Sequence, residues 1–312
     1  MLILLAALAA AAPADLAAPL PPLVPWNGAS ERLIAAPTDP WITPAEARNF
    51  DATPSFDETR AYIDRLVAAA PQLLRIETFG RTSEGRELYA VIASRADGRR
   101  RPAVLAQAGI HAGEIDGKDA GLMLLRDIAA GGKARLLDNA DLVFVPIFNA
   151  DGHERSSRFS RPNQRGPREQ GWRTTARNLN LNRDYLKADT PEMQAMLAFL
   201  RRIDPALYID VHVTDGVDYQ YDITYGFLGW NGRYAQSPAI GRWLDQQLRP
   251  NMDRALTRAG HIPGPLIFAA DDRNPAAGIV DFAAQPRLSH AYGDLARVPT
   301  VLVENHSLKP YR

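Results

Sequence analysis

The chain has 312 residues, 46% hydrophobic and 23% charged, with a formal net charge of zero. That is the size and composition of one large globular domain or two small ones, with enough apolar residues for a full core. Balanced charge gives no bulk attraction to nucleic acid or an anionic membrane, and the lack of cysteine excludes disulfides, thiolate metal sites and cysteine nucleophiles.

Residues 1–14 read MLILLAALAAAAPA. The apolar core is too short for a bilayer span and small residues follow it, so 1–14 is expected to be a secretory signal peptide, although no basic residue precedes Arg32. A secreted or periplasmic location follows, with no stable membrane insertion. Residues 15–52 are rich in Pro and Ala, with turn pairs such as Asn27-Gly28 and Asp39-Pro40, and read as an N-terminal extension or linker. A single catalytic domain is expected over 53–312.

Within it, 55–70 is predicted helical: Ser55 and Glu58 make a capping box, and Tyr62, Leu66 and Val67 share a face. Strands at 73–79 and 87–94 flank the turn Ser83-Glu84-Gly85-Arg86, a hairpin signal. The apolar run 102–106 reads as a buried strand, and 118–130 as a helix on the spacing of Leu122, Leu125 and Ile128. The run 141–148 has the continuous apolarity of a strand covered on both faces, and Asn149-Ala150-Asp151-Gly152 closes it as a turn. Residues 154–177 form a long, polar, Arg-rich loop, a length characteristic of functional or disordered segments. A helix at 190–203 has Pro191 in its first turn. The strand at 207–213 alternates, with Tyr208, Asp210 and His212 on one face. A long amphipathic helix is expected over 239–259 and a last strand at 301–303. Strands alternating with helices predict a three-layer α/β/α sandwich with a mixed, largely parallel central sheet.

The chemistry centres on 107–117, where His111 and Glu114 sit between a strand and a helix, at the crevice where open α/β sheets bind ligands. An imidazole and a carboxylate three residues apart can face one centre, and both suit zinc. A hydrolytic zinc needs a third protein ligand and an open position. Of the six histidines, His212 is the best third ligand because it ends an apolar strand on its polar face. His153, His261, His290 and His306 lie in loops or beside turns and are expected at the surface or behind the ligands. Bound zinc brings the pKa of water down to about 7, and a carboxylate must then carry the proton to the leaving amine. Glu304, directly after 301–303, is the candidate, since partial desolvation raises a carboxyl pKa toward a useful value. The alternation over 178–184 sets Asn182 beside Arg183, a directional donor next to a planar fork for a carboxylate. Arg173, in Gly171-Trp172-Arg173, offers a cation for an oxyanion.

In this order these residues resemble the zinc metallocarboxypeptidases of the carboxypeptidase A type. The matching motifs are His111-Ala112-Gly113-Glu114, Asn149-Ala150-Asp151-Gly152, Trp172-Arg173, Asn182-Arg183, Asp210-Val211-His212 and Val303-Glu304, spread over roughly residues 53–312. The resemblance implies one Zn2+ per chain on His111, Glu114 and His212, with Glu304 as general base and then acid. It further implies that Arg173 stabilises the oxyanion, that Asn182 and Arg183 bind the free C-terminal carboxylate of a peptide, and that Tyr292 is the mobile tyrosine that closes over the substrate. Asn180 stands where the digestive enzymes have an Asp that orients a zinc-bound histidine. Family members usually continue into a closing helix beyond the point where this chain ends, so a fragment or a shortened relative is expected. The activity implied is removal of one residue from a peptide's C-terminus. The alternatives are a zinc amidohydrolase acting on cell-wall peptides or N-acyl amino acids, and a catalytically inactive binding protein on the same fold.

Overall fold

The computed structural model describes residues 20–271, 273–280 and 284–312, and the expected leader at 1–14 lies outside them. Helix α1 (Pro44–Ala47) opens with a capping box from Thr43 and Glu46, and α2 (Phe56–Ala69) with the expected one from Ser55 and Glu58. In each, two N–H groups that the first turn leaves without partners are satisfied reciprocally. The hairpin follows as β1 (Leu74–Arg81) and β2 (Glu87–Ala93), paired antiparallel. Strand β3 (Ala103–Ala108) leads into α3 (Asp116–Ala129), and β4 (Asp141–Val145) into α4 (Ala150–Glu154). β4 stops short of the expected 148 at Pro146, which has no N–H for the ladder. The turn expected at 149–152 is instead the start of α4, where the Asn149 side chain caps Gly152 N–H at 3.1 Å.

Next come α5 (Pro191–Ile203), β5 (Leu207–Val213) and β6 (Ile223–Gly226). The helix expected over 239–259 runs without a break through α6 (Pro238–Trp243), a wide turn at Leu244–Leu248 in which Arg249 N–H reaches back to the Leu244 carbonyl, and α7 (Arg249–Arg258). Pro250 is the cause of the wide turn: it cannot donate and its ring crowds the carbonyl four residues back, a conflict the wider turn relieves. Strands β7 (Pro263–Pro265), β8 (Phe268–Ala269) and β9 (Ile279–Val280), helix α8 (Ser289–Ala296) and strand β10 (Thr300–Asn305) complete the described chain.

The main sheet has eight strands in the order β1-β2-β4-β3-β5-β10-β6-β7. Pairing is parallel from β4 through β3 and β5 to β10 and again between β6 and β7, and antiparallel elsewhere. Helices α2 and α3 cover one face, setting Ile63, Leu66, Leu122 and Leu125 against Val91 and Phe144. Helix α5 covers the other, with Met193, Met196 and Phe199 against Leu88, Leu105 and Tyr208. Each such side chain contributes about 1.5–3 kcal/mol by leaving water, so the sheet is held as the middle layer of an α/β/α sandwich, as the strand–helix alternation predicts. The segment expected as extension or linker is tied down at its end. Thr43, Ala45 and Glu46 are buried, and both Glu46 carboxylate oxygens accept from Arg126 of α3, at 2.5 and 2.6 Å. Among the described residues, no helix is long and apolar enough to cross a membrane.

For function the consequence of this topology is one edge. Strands β3, β5 and β10 run parallel and release their carboxyl ends side by side. β3 leads to His111, β5 carries His212 and β10 carries Glu304 directly opposite His212 in register.

Candidate metal centre

Gly109 turns the chain out of β3 with φ of 68°, a left-handed conformation in which a side chain would be strained. Ala108 and Gly109 carbonyls are held by the backbone N–H groups of Phe148 and Asn149 at 3.0 and 2.9 Å, which fixes the turn. Glu114 N–H then bonds back to the His111 carbonyl at 2.9 Å, bringing the two side chains together. Gly113 between them permits close approach of the long loop. A Cβ there would lie 2.6 Å from both Arg161 Cγ and the Gly171 carbonyl oxygen.

Across the sheet edge His212 joins this pair. One ligand atom each from His111, Glu114 and His212 falls within 4.8 Å of the others, and all three residues are buried. His111 Nδ1 lies 3.0 Å from Glu114 Oε1, and His212 Nδ1 lies 2.9 Å from Glu114 Oε2. Both rings thus turn Nδ1 inward. Their outer nitrogens have separate partners: His111 Nε2 is 3.1 Å from Asn180 Oδ1, and His212 Nε2 is 2.9 Å from Asp210 Oδ2. Two imidazoles with acceptors behind them and a carboxylate between them form the donor set that zinc takes, with the outer partners fixing tautomer and orientation. The residues fit the metal.

Electrostatics follow from this crowding. Burial opposes the charge on Glu114, but His111 and Arg161 beside it hold its carboxyl well below the usual range. Burial also pushes His111 down, against the pull of Glu114. At His212 burial is outweighed by Asp210 and Glu114, which raise it well above the ordinary imidazole value. Asp210 is itself fully buried and anchored by Gln107 Nε2 at 2.8 Å.

Beside the three ligands lies a cavity of about 270 Å³ that His111, Glu114 and His212 line together with Arg173, Asn182, Arg183 and Glu304. Glu304 Oε2 is buried without a hydrogen-bond partner. Burial, with the negative charges of Glu114 and Asp215, raises its pKa to about 8 against the opposing pull of His212 and Arg173. Arg173 reaches in from the long loop, its Nη1 3.0 Å from Glu114 Oε1. Asn182 and Arg183 share one tight turn (Leu181–Arg183). Asn182 Nδ2 stands 3.4 Å from His212 Nε2, and Arg183 donates to the Asn182 carbonyl at 2.6 Å. Burial and the neighbouring guanidinium groups of Arg173 and Arg287 lower the Arg183 pKa.

Seven of the eight residues singled out from sequence therefore surround one cavity. Tyr292 does not. It sits within α8, packed against the core beside Tyr185 with ring centroids 5.6 Å apart, because that helix turns its ring toward the sheet. Of the other histidines, expected at the surface or behind the ligands, His153, His290 and His306 are buried and His261 is half-buried; His290 lines the cavity, and His153 Nε2 lies 3.0 Å from the buried ammonium of Lys118. Sequence reasoning missed Arg161, a buried guanidinium whose Nη2 lies 3.0 Å from Glu114 Oε1, and Asp215 and Arg287, which also line the cavity. Arginines in polar loops normally mean solvation, and no spacing marks these as different.

A His-Glu-His centre with an unengaged carboxylate beside it, at the carboxyl edge of a mixed α/β/α sheet, is the arrangement of a metal-dependent hydrolase. More specifically, the chain belongs to the zinc carboxypeptidase family, whose model matches residues 59–249, more than half of its length. Among curated relatives, probable carboxypeptidase 2 of Trichophyton verrucosum is 26% identical over 184 residues, 56% of this chain and 33% of that protein. Carboxypeptidase A1 of Rattus norvegicus is 31% identical over 109 residues, 33% of this chain and 26% of the relative. The chain thus spans about a third or less of the length of these relatives. In fold it is similar to the metallo-carboxypeptidase of Burkholderia cenocepacia, with a TM-score of 0.61 and 18% identity over 83% of this chain and 61% of that one. It is also similar to carboxypeptidase A of Helicoverpa armigera, with a TM-score of 0.57 and 21% identity over 82% and 65%.

Proposed function

We propose that the protein is an exported metallocarboxypeptidase that removes the C-terminal residue of peptides, with one zinc ion held by His111, Glu114 and His212. The observation that carries this reading is the meeting of those three ligand atoms at a cavity whose other polar walls include Glu304, Arg173 and Arg183. When bound, zinc supplies a Lewis acid that polarises the scissile carbonyl and acidifies a water. Glu304 takes the proton of the attacking water and returns it to the leaving amine; its unpartnered oxygen and raised pKa make it a better proton acceptor than a solvated carboxylate. Arg173 meets the negative charge that develops on the carbonyl oxygen. Asn182 and Arg183 hold the terminal carboxylate. Arg183 is partly desolvated and repelled by two other guanidinium groups, so an anion beside it relieves both penalties. A substrate with an amidated end leaves that charge unmatched, which is why the reading is exopeptidase. Export rests on the leader-like sequence of 1–14.

The test is mass spectrometry of a peptide pool with free and amidated C-termini, with and without chelator. Stepwise trimming of free ends alone, abolished by chelator, is the expected result. Release of acyl groups from N-acyl amino acids, with peptides untouched, replaces the reading with an amidase. Absence of any metal-dependent turnover leaves only a binding protein.

A further inference from the structure

The proposed reaction uses two of the three guanidinium groups on the cavity wall: Arg173 for the carbonyl oxygen and Arg183 for the terminal carboxylate. Arg287, just before α8, is left over. It pairs with no carboxylate among the described residues, and it stands near enough to Arg183 to depress that residue's pKa. Among the described residues, the acidic side chains lining the cavity are Glu114, Glu304 and Asp215, the last 3.8 Å from both Arg161 and Arg173. His290 adds a second unmet demand. It is 5% exposed, its Nδ1 has no partner, and burial pushes its pKa down to about 4, so the ring is neutral near pH 7. The apolar lining of the cavity includes Leu266, Phe268 and Leu288.

A substrate with one carboxylate answers Arg183 and leaves Arg287 unanswered. A basic side chain would meet like charge and be repelled. A side chain with a short methylene stem and an acidic tip matches the wall, with the stem on Leu266, Phe268 and Leu288 and the tip on Arg287 and His290. We propose that Arg287 is a specificity-determining residue and that the cavity selects peptides ending in an acidic residue, glutamate or aspartate. This rests on the carboxypeptidase reading and assigns the part of that site which receives the terminal side chain.

The experiment compares kcat/KM for zinc-loaded protein on peptides identical except for a terminal Glu, Asp, Gln, Leu or Lys. The expected order places Glu and Asp at least about tenfold above Gln, with Lys lowest, in keeping with one charge-assisted contact. Arg287→Ala should bring the Glu to Gln ratio close to one, and Arg287→Glu should move the preference toward Lys. Because Arg287 is exposed on the cavity rim, neither change opens a hole in the core, and the ratio between substrates within one variant is insensitive to the fraction folded. If wild type cleaves Leu or Lys ends as fast as Glu, or if the ratio survives Arg287→Ala, the assignment is wrong while the carboxypeptidase reading stands. If none of the five peptides is trimmed, the underlying reading fails with it.

Discussion

Replacing Glu304 by Gln removes a proton acceptor while keeping shape and hydrogen-bonding capacity. Positioned acid–base groups contribute about 10²–10⁴ in rate, so kcat should fall by that factor, about 3–5 kcal/mol of barrier at about 1.4 kcal/mol per tenfold. Zinc content should stay near one per chain, since the three ligands are untouched. The same substitution tests the desolvation of Glu304 independently of activity. Its pKa is raised from 4.5 to about 8, so the folded state keeps a proton that the unfolded chain releases. The resulting penalty on folding is absent below the unfolded value, grows by about 1.4 kcal/mol per pH unit, and levels off above the folded one. It reaches a few kcal/mol in the metal-free protein. Urea denaturation of chelator-treated protein at about pH 5 and about pH 8 should therefore show wild type losing stability relative to Glu304→Gln as pH rises. Wild-type turnover by Glu304→Gln would remove Glu304 from the mechanism, and parallel pH profiles would refute its desolvation.

His212→Ala should release zinc on dialysis, measured by metal analysis, because one of three ligands is gone. Asn180→Ala should weaken zinc binding by about 10–100-fold in a competitive chelator titration, since Asn180 Oδ1 is the acceptor behind His111. Arg126→Met should cost about 3–5 kcal/mol in denaturant melts by leaving Glu46 buried and unpaired. Adding Glu46→Gln to that variant should restore much of the loss, which would locate the effect in the ion pair rather than in packing.

The sequence was most legible where local physics decides the outcome. The capping box at Ser55 and Glu58 is made and satisfied within one helical turn. The alternation of 207–213 follows from the pleat alone and puts His212 on the face of Asp210. The six motifs in order pointed to the family that the comparison then showed. Pro250 is a local signal too, and it widens the helical turn ahead of α7. Local pattern misled where the environment is set by distant chain. Tyr292 looked available because it lies near Glu304 in sequence, but α8 lays it on Tyr185.

Residue type and spacing by themselves named His111, Glu114, His212, Glu304, Arg173, Asn182 and Arg183, because metal and carboxylate chemistry restrict which side chains serve and strand ends restrict where they sit. Only the tertiary structure could join them, since parallel pairing of β3, β5 and β10 brings together ligands that are 98 residues apart in sequence. It alone also revealed Arg161 at Glu114 and Arg287 on the cavity wall. A guanidinium group acquires its role from the charges that the fold sets around it, and those charges lie on segments that no local pattern connects.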